Sequence, residues 1–252
     1  MLAEVVYLFG ILFQVLLLFR GWRSGSLNKY PYFYAYILTS FLAGSLSYAV
    51  FVTRPASYPA MFWPLEFLTL FIGCGLVLEI FRDVLSSYPG AERFAKSVCV
   101  VTFVAIFLLG LVYSLISSPG SIAQSEVGLE RNVRAVQILF FVAIVGTIFY
   151  YGIALGKNIR GMIYGYGLYL AVSVVAFALR LYYHSRVDVL RTVRPMIFDV
   201  SLLIWLVSLW AYHPNPKPAP GDRLEEDYEA VASLTKARIN ALRGHLGRST
   251  RG

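Results

Sequence analysis

The chain has 252 residues, of which 58% are hydrophobic and only 14% charged, and its mean hydropathy is +0.65. A soluble domain carries about 25% charged residues, so the composition excludes an ordinary water-soluble core and points to an integral membrane protein. The net charge of +8 does not argue for nucleic acid, because the basic residues sit between apolar runs and in the tail, where cytoplasmic loops keep them.

A membrane-crossing helix needs about 20 apolar residues, given a hydrocarbon core about 30 Å thick and a rise of about 1.5 Å per residue. The N-terminal MLAEVVYLFG has Glu4 but no basic residue ahead of its apolar run, so it reads as a retained first helix rather than a signal peptide. Seven spans are expected, at residues 3–19, 32–52, 61–80, 97–116, 135–155, 162–183 and 195–212. The fold class is therefore all-α, a polytopic bundle of seven transmembrane helices over residues 1–212. Pro31, Pro64 and Pro195 fall at or near span starts, where a missing N–H costs nothing. No proline lies in the middle of a span, which weighs against the broken helices of many secondary transporters.

The odd-numbered loops carry Arg20, Arg23, Lys29, Arg82, Arg93, Lys96, Lys157 and Arg160, and the tail is basic as well. Arg186, Arg191 and Arg194 in the sixth loop run against this trend. The balance places the N-terminus outside and the C-terminus in the cytoplasm. Aromatic clusters such as YPYFYAY, FYYG and LYYH mark span ends and read as interface belts or, alternatively, as ligand-recognising tyrosines.

Residues 213–222 form a proline-rich linker. Residues 223–252 read as an amphipathic cytoplasmic tail, with Leu224, Tyr228, Val231 and Leu234 at helical spacing. Its basic C-terminal half is expected on anionic lipid, or the helix docks on the protein's own loops or on a membrane or cytoplasmic protein partner.

The third span, WPLEFLTLFIGCGLVLEIFRD, holds two carboxylates. Glu66 and Glu79 lie about 20 Å apart along a helix, so they do not pair with each other. Glu79, three residues before Arg82, reads as a charged exit from the membrane. Glu66 lies deeper and needs compensation, since a charge at the bilayer centre costs about 2.5–3.5 kcal/mol. Alternating span direction puts Arg180, His184 and Asp199 in the same half of the membrane as Glu66. A polar cluster follows, with Arg180 pairing Asp199, Glu66 or both, and with Gln137 and Tyr48 in reach. It serves either as interhelical glue or as a ligand or proton site.

In GIALGKNIRGMIYGYG, two four-residue glycine spacings flank a basic turn. They predict close approach of the fifth and sixth spans. Lys157, Asn158 and Arg160 in that turn are candidate contacts for lipid headgroups or a partner, as are Leu224, Tyr228 and Val231 in the tail. No lysine lies inside a span to hold retinal. The three histidines do not converge for haem or zinc, and Cys74 and Cys99 lie apart within apolar runs. No nucleophile or catalytic pair has the required spacing, and neither metal nor cofactor is expected.

WPLEF followed by LEIFRDVL, and later GKNIRGMIYGYGLYL, resembles bacterial seven-span integral membrane proteins of about this length. The resemblance spans most of the chain and implies the fold but no activity. A fainter resemblance links the chain to the seven-span sensor modules of bacterial histidine kinases. The chain departs from them because only about 40 residues follow Tyr212, too few for a kinase domain. The leading expectation is a non-enzymatic sensory or interaction protein of the bacterial inner membrane. The alternative is a small-solute or ion transporter, and a membrane-embedded enzyme on lipid substrates ranks below both.

Overall fold

The computed structural model describes residues 2–116, 122–182, 187–213, 216 and 223–249. The described residues form eight α-helices and two short 3-10 turns, with no strand among them. The helices are α1 (Leu2–Arg23), α2 (Pro31–Thr53), α3 (Tyr58–Val84), α4 (Pro89–Ile116), α5 (Ile122–Tyr151), α6 (Lys157–Tyr182), α7 (Val187–Ser208) and α8 (Arg223–Ser249). Five stretches are long and apolar enough to cross a membrane: Val5–Arg23, Pro31–Thr53, Ala60–Val84, Val133–Tyr151 and Lys157–Ala176. Pro195–Ser208 of α7 is a shorter apolar helix. Among the described residues, length and composition thus mark five of the seven crossings expected.

Leu8, Phe9, Leu12, Leu108, Leu109, Leu139 and Val142 all point outward. In water such a surface would drive aggregation, whereas lipid tails accept it. Inside, Phe33, Tyr36, Tyr166, Leu202 and Trp205 are almost completely buried. The rings of Phe33 and Trp205 meet edge to face at 5.2 Å, and those of Tyr36 and Tyr166 at 5.8 Å. Offset and T-shaped contacts of this kind add to what burial alone supplies.

Three helix boundaries differ from expectation. Helix α5 begins at Ile122, so residues 122–134, expected in a loop, are helical and carry Arg134 into the bundle. Helices α3 and α7 begin upstream of their apolar stretches, which puts Pro64 and Pro195 inside helices rather than at their starts. Residues 209–213 lie beyond the last turn of α7, although the seventh span was expected to reach residue 212.

The glycines of α6 act mainly on α7. A Cβ at Gly161 would collide with Ser208, and one at Gly165 with the Trp205 indole. Gly167 alone turns to α5, where a Cβ would meet Phe141 2.5 Å away. The expected tight α5–α6 contact is therefore a tight α6–α7 contact, because α6 winds its glycine face toward the antiparallel neighbour that follows it.

Helices α1 and α7 run parallel. Arg20 Nε donates to the Trp210 carbonyl at 2.7 Å, and its guanidinium lies 4.9 Å from the Trp210 ring. At this same end α8 docks on the bundle. Leu224 is buried, the Tyr228 ring fills the space above Gly90 of α4, and Tyr151 of α5 donates to Asp227 at 3.2 Å.

Candidate functional site

The end of the bundle remote from α8 contains a cavity of about 620 Å³. Its walls come from the N-terminal halves of α1, α3 and α7 and the C-terminal halves of α2 and α6. This topology follows from alternating helix direction, which brings those five half-helices to one level. Glu66 of α3 and Asp199 of α7 both line it, together with Gln14, Tyr36, Ser40 and Ser173.

Glu66 is compensated from behind the wall. Arg134 Nη2 donates to Glu66 Oε1 at 2.9 Å. The guanidinium also donates to the Tyr169 hydroxyl at 3.4 Å and lies 5.7 Å from that ring. Three helices are thereby tied at one level, α3 through the carboxylate, α5 through the arginine and α6 through the tyrosine. Arg134 lies one residue ahead of the span expected at 135–155. Its spacing to Gln137, three residues on, is the helical signal that places both on one face of α5.

Gln137 continues that face inward. Its Nε2 donates to the Leu70 carbonyl at 3.4 Å and lies 3.3 Å from Cys74 Sγ. Tyr166 donates to the Gly73 carbonyl at 3.3 Å, and a Cβ at Gly73 would sit 3.0 Å from that hydroxyl. Gln137 thus serves helix contact beneath the cavity rather than lining it.

Asp199 sits on the opposite wall. A Cβ at Gly10 would come within 2.8 Å of Asp199 Oδ1, so α1 admits the carboxylate only where it lacks a side chain. Among the described residues no hydrogen bond or ion pair reaches Asp199. His184 lies outside the described residues, as does the side chain of Arg180. The Tyr48 ring lies tilted against that of Tyr7, with centroids 4.9 Å apart, and Tyr7 in turn lines the cavity.

Two hydroxyls in the cavity wall are unsatisfied. Ser173 is 1% exposed, and neither its Oγ nor that of Ser40 has a hydrogen-bond partner among the described residues. Buried polar groups are nearly always paired, so such atoms call for a ligand or water. Tyr58 at the rim has its phenol pushed above its ordinary value by burial and by the nearby Glu66 charge, which keeps it a neutral hydrogen-bond donor.

The α8 end has a different chemistry. Glu79, expected as a charged exit from the membrane, is 1% exposed and caps α2. Its carboxylate accepts from the backbone N–H groups of Phe33 at 2.7 Å and Tyr32 at 3.2 Å. Pro31 at the first position of α2 has no N–H to satisfy, so the carboxylate meets the next two donors. Arg82 stands 3.7 Å from Glu79 and 2.9 Å from Asp83.

Asn158, expected at a contact surface, is fully buried. Its Nδ2 donates to the Ala211 carbonyl at 3.1 Å, and its Oδ1 accepts from the His213 N–H at 2.7 Å. It anchors the chain leaving α7, a role set by tertiary contact and invisible in a polar turn. Lys157 and Arg160 are exposed, and Arg160 donates to the Leu155 carbonyl at 3.3 Å. Of the tail residues, Leu224 faces the bundle and Tyr228 covers Gly90, while Val231 and Leu234 are exposed.

Among the described residues no three His, Cys, Asp or Glu side chains gather as a metal site. The chain matches no family model, no curated protein and no solved structure. The fold and the cavity define the class: an all-helical integral membrane protein with a polar, partly charged cavity between five of its helices.

Proposed function

We propose that the chain is a non-enzymatic sensory protein of a bacterial inner membrane, crossing it seven times with the N-terminus outside. On this reading α4 and α7 complete the crossings, and the cavity opens to the outside. It receives a small molecule there, while the cytoplasmic α8 end meets a protein partner. One observation carries the reading: the 620 Å³ cavity holds an unpartnered carboxylate and two unsatisfied hydroxyls, Asp199, Ser40 and Ser173, among the described residues. Glu66, Arg134 and Tyr169, by contrast, pair with one another.

Beneath Tyr36 the bundle is filled by Phe33 and Trp205, which favours a blind binding site over half of a transport pathway. At the other end, basic residues in the first, third and fifth loops support a cytoplasmic face. The exposed Val231 and Leu234 extend the docked turn of α8 as an uncovered apolar stripe.

The test is purification from the native membrane in gentle detergent, with bound small molecules and proteins identified by mass spectrometry. A defined small molecule lost on Ser173→Leu, and a stoichiometric protein lost on truncation after Asp222, are expected. A chain that carries neither contradicts the proposal.

A further inference from the structure

Resting on the cavity reading above, we infer that the ligand is an organic monocation, a protonated amine or quaternary ammonium with an apolar body. The charges facing the cavity set the sign. Glu66 is neutralised by Arg134 at 2.9 Å. Asp199 has no compensating partner among the described residues, which leaves one negative charge for the occupant to meet. A carboxylate held among apolar helices is costly unless paired, so a cation entering the cavity gains what the protein itself withholds.

The size and lining set the chemistry. Calcium and magnesium ions take about six or more oxygen ligands. Asp199 is the one cavity carboxylate without an ion-pair partner among the described residues, and a volume of about 620 Å³ matches the range of organic-ligand sites. Tyr7, Tyr36 and Tyr58 bring aromatic rings to the wall, and such rings attract alkylammonium groups through their faces. Ser173 Oγ, 1% exposed and unpartnered among the described residues, offers a hydrogen bond to the occupant as well. The ligand is thus an ammonium at Asp199 with an apolar body along the tyrosines. A free amine and an amine-bearing lipid headgroup share this chemistry.

The test is equilibrium dialysis of the purified full-length protein with labelled benzyltrimethylammonium, competed by unlabelled phenethylammonium, by neutral neopentylbenzene and by benzenesulfonate. Expected is saturable binding at one site per chain, competed by the ammonium compound at least tenfold better than by the neutral or the anion. Asp199→Asn weakens it at least tenfold, and Asp199→Glu retains most of it. Gly10→Ala, which displaces the carboxylate without removing it, also weakens binding, and thermal unfolding verifies that each variant is folded. Competition by phosphatidylethanolamine vesicles but not by free ethanolamine assigns the lipid source, and the reverse assigns the free amine. Equal competition by neopentylbenzene, with binding abolished by Ser173→Leu, overturns the cation assignment and leaves the cavity reading standing. Absence of binding by cation, neutral and anion alike overturns both.

Discussion

Arg134 of α5 and Glu66 of α3 form an ion pair at 2.9 Å whose arginine side chain is 6% exposed. Removing one partner of a buried pair leaves the other charged and unsatisfied, at a cost of about 3–5 kcal/mol. Arg134→Met is therefore expected to lower stability on that scale in mixed-micelle unfolding. The double variant Glu66→Gln with Arg134→Met recovers much of the loss, because no buried charge is then orphaned. Additive losses in the double-mutant cycle contradict the pairing.

Glu79 joins the N-terminus of α2 to α3 without any covalent or sequence-local link. Glu79→Ala leaves the Phe33 N–H buried without an acceptor, at a cost of about 1–3 kcal/mol, and the part-buried Tyr32 N–H unpaired. Glu79→Gln keeps one acceptor oxygen and is expected to cost less. Hydrogen exchange at the amides of Tyr32 and Phe33 accelerates in the alanine variant before the rest of α2 changes. Unchanged exchange at those two amides contradicts the cap.

Gly165 seats the Trp205 indole against α6. Gly165→Ala overfills that seat and is expected to cost about 1–3 kcal/mol, as extra methylenes in a tight core do. Trp205 emission shifts as the ring is displaced. Gly146→Ala, where a Cβ meets nothing within 4 Å, is the control and is expected to be neutral.

Among the described side chains, helix α8 is held by its first turns. Gly90→Val removes the seat of the Tyr228 ring and is expected to release α8 while the bundle stays folded. The distance between spin labels at Val231 and Lys96 then lengthens and broadens. An unchanged distance shows that α8 is held elsewhere.

Much of the fold is legible in the sequence because apolar runs report helices directly, as at Val5–Arg23 and Pro31–Thr53. Glu66 and Asp199 could be brought to one level by counting span directions, and they line one cavity. Arg134 was missed because it lies at the polar edge of an apolar run, where a helix and a loop look alike by hydropathy. Ser173 and Gln14 had a readable signal, single polar residues inside apolar runs, that carried less weight than the charges. Glu79 and Asn158 had none. Their partners are backbone groups 46 and 55 residues away in sequence, at Phe33 and His213, and no local pattern encodes such contacts.

The most direct measurement of the central claim is thiol labelling in intact cells. Cys74 and Cys99, both buried and free, are replaced by alanine. A single cysteine is then placed at Ser45 in the cavity wall or at the exposed Arg160 of the opposite end. Expected is rapid reaction of the Ser45→Cys protein with a membrane-impermeant thiosulfonate added outside, and reaction of the Arg160→Cys protein only after the membrane is opened. Labelling in the reverse order, or a Ser45→Cys protein unreactive from both sides, contradicts an outward-facing cavity.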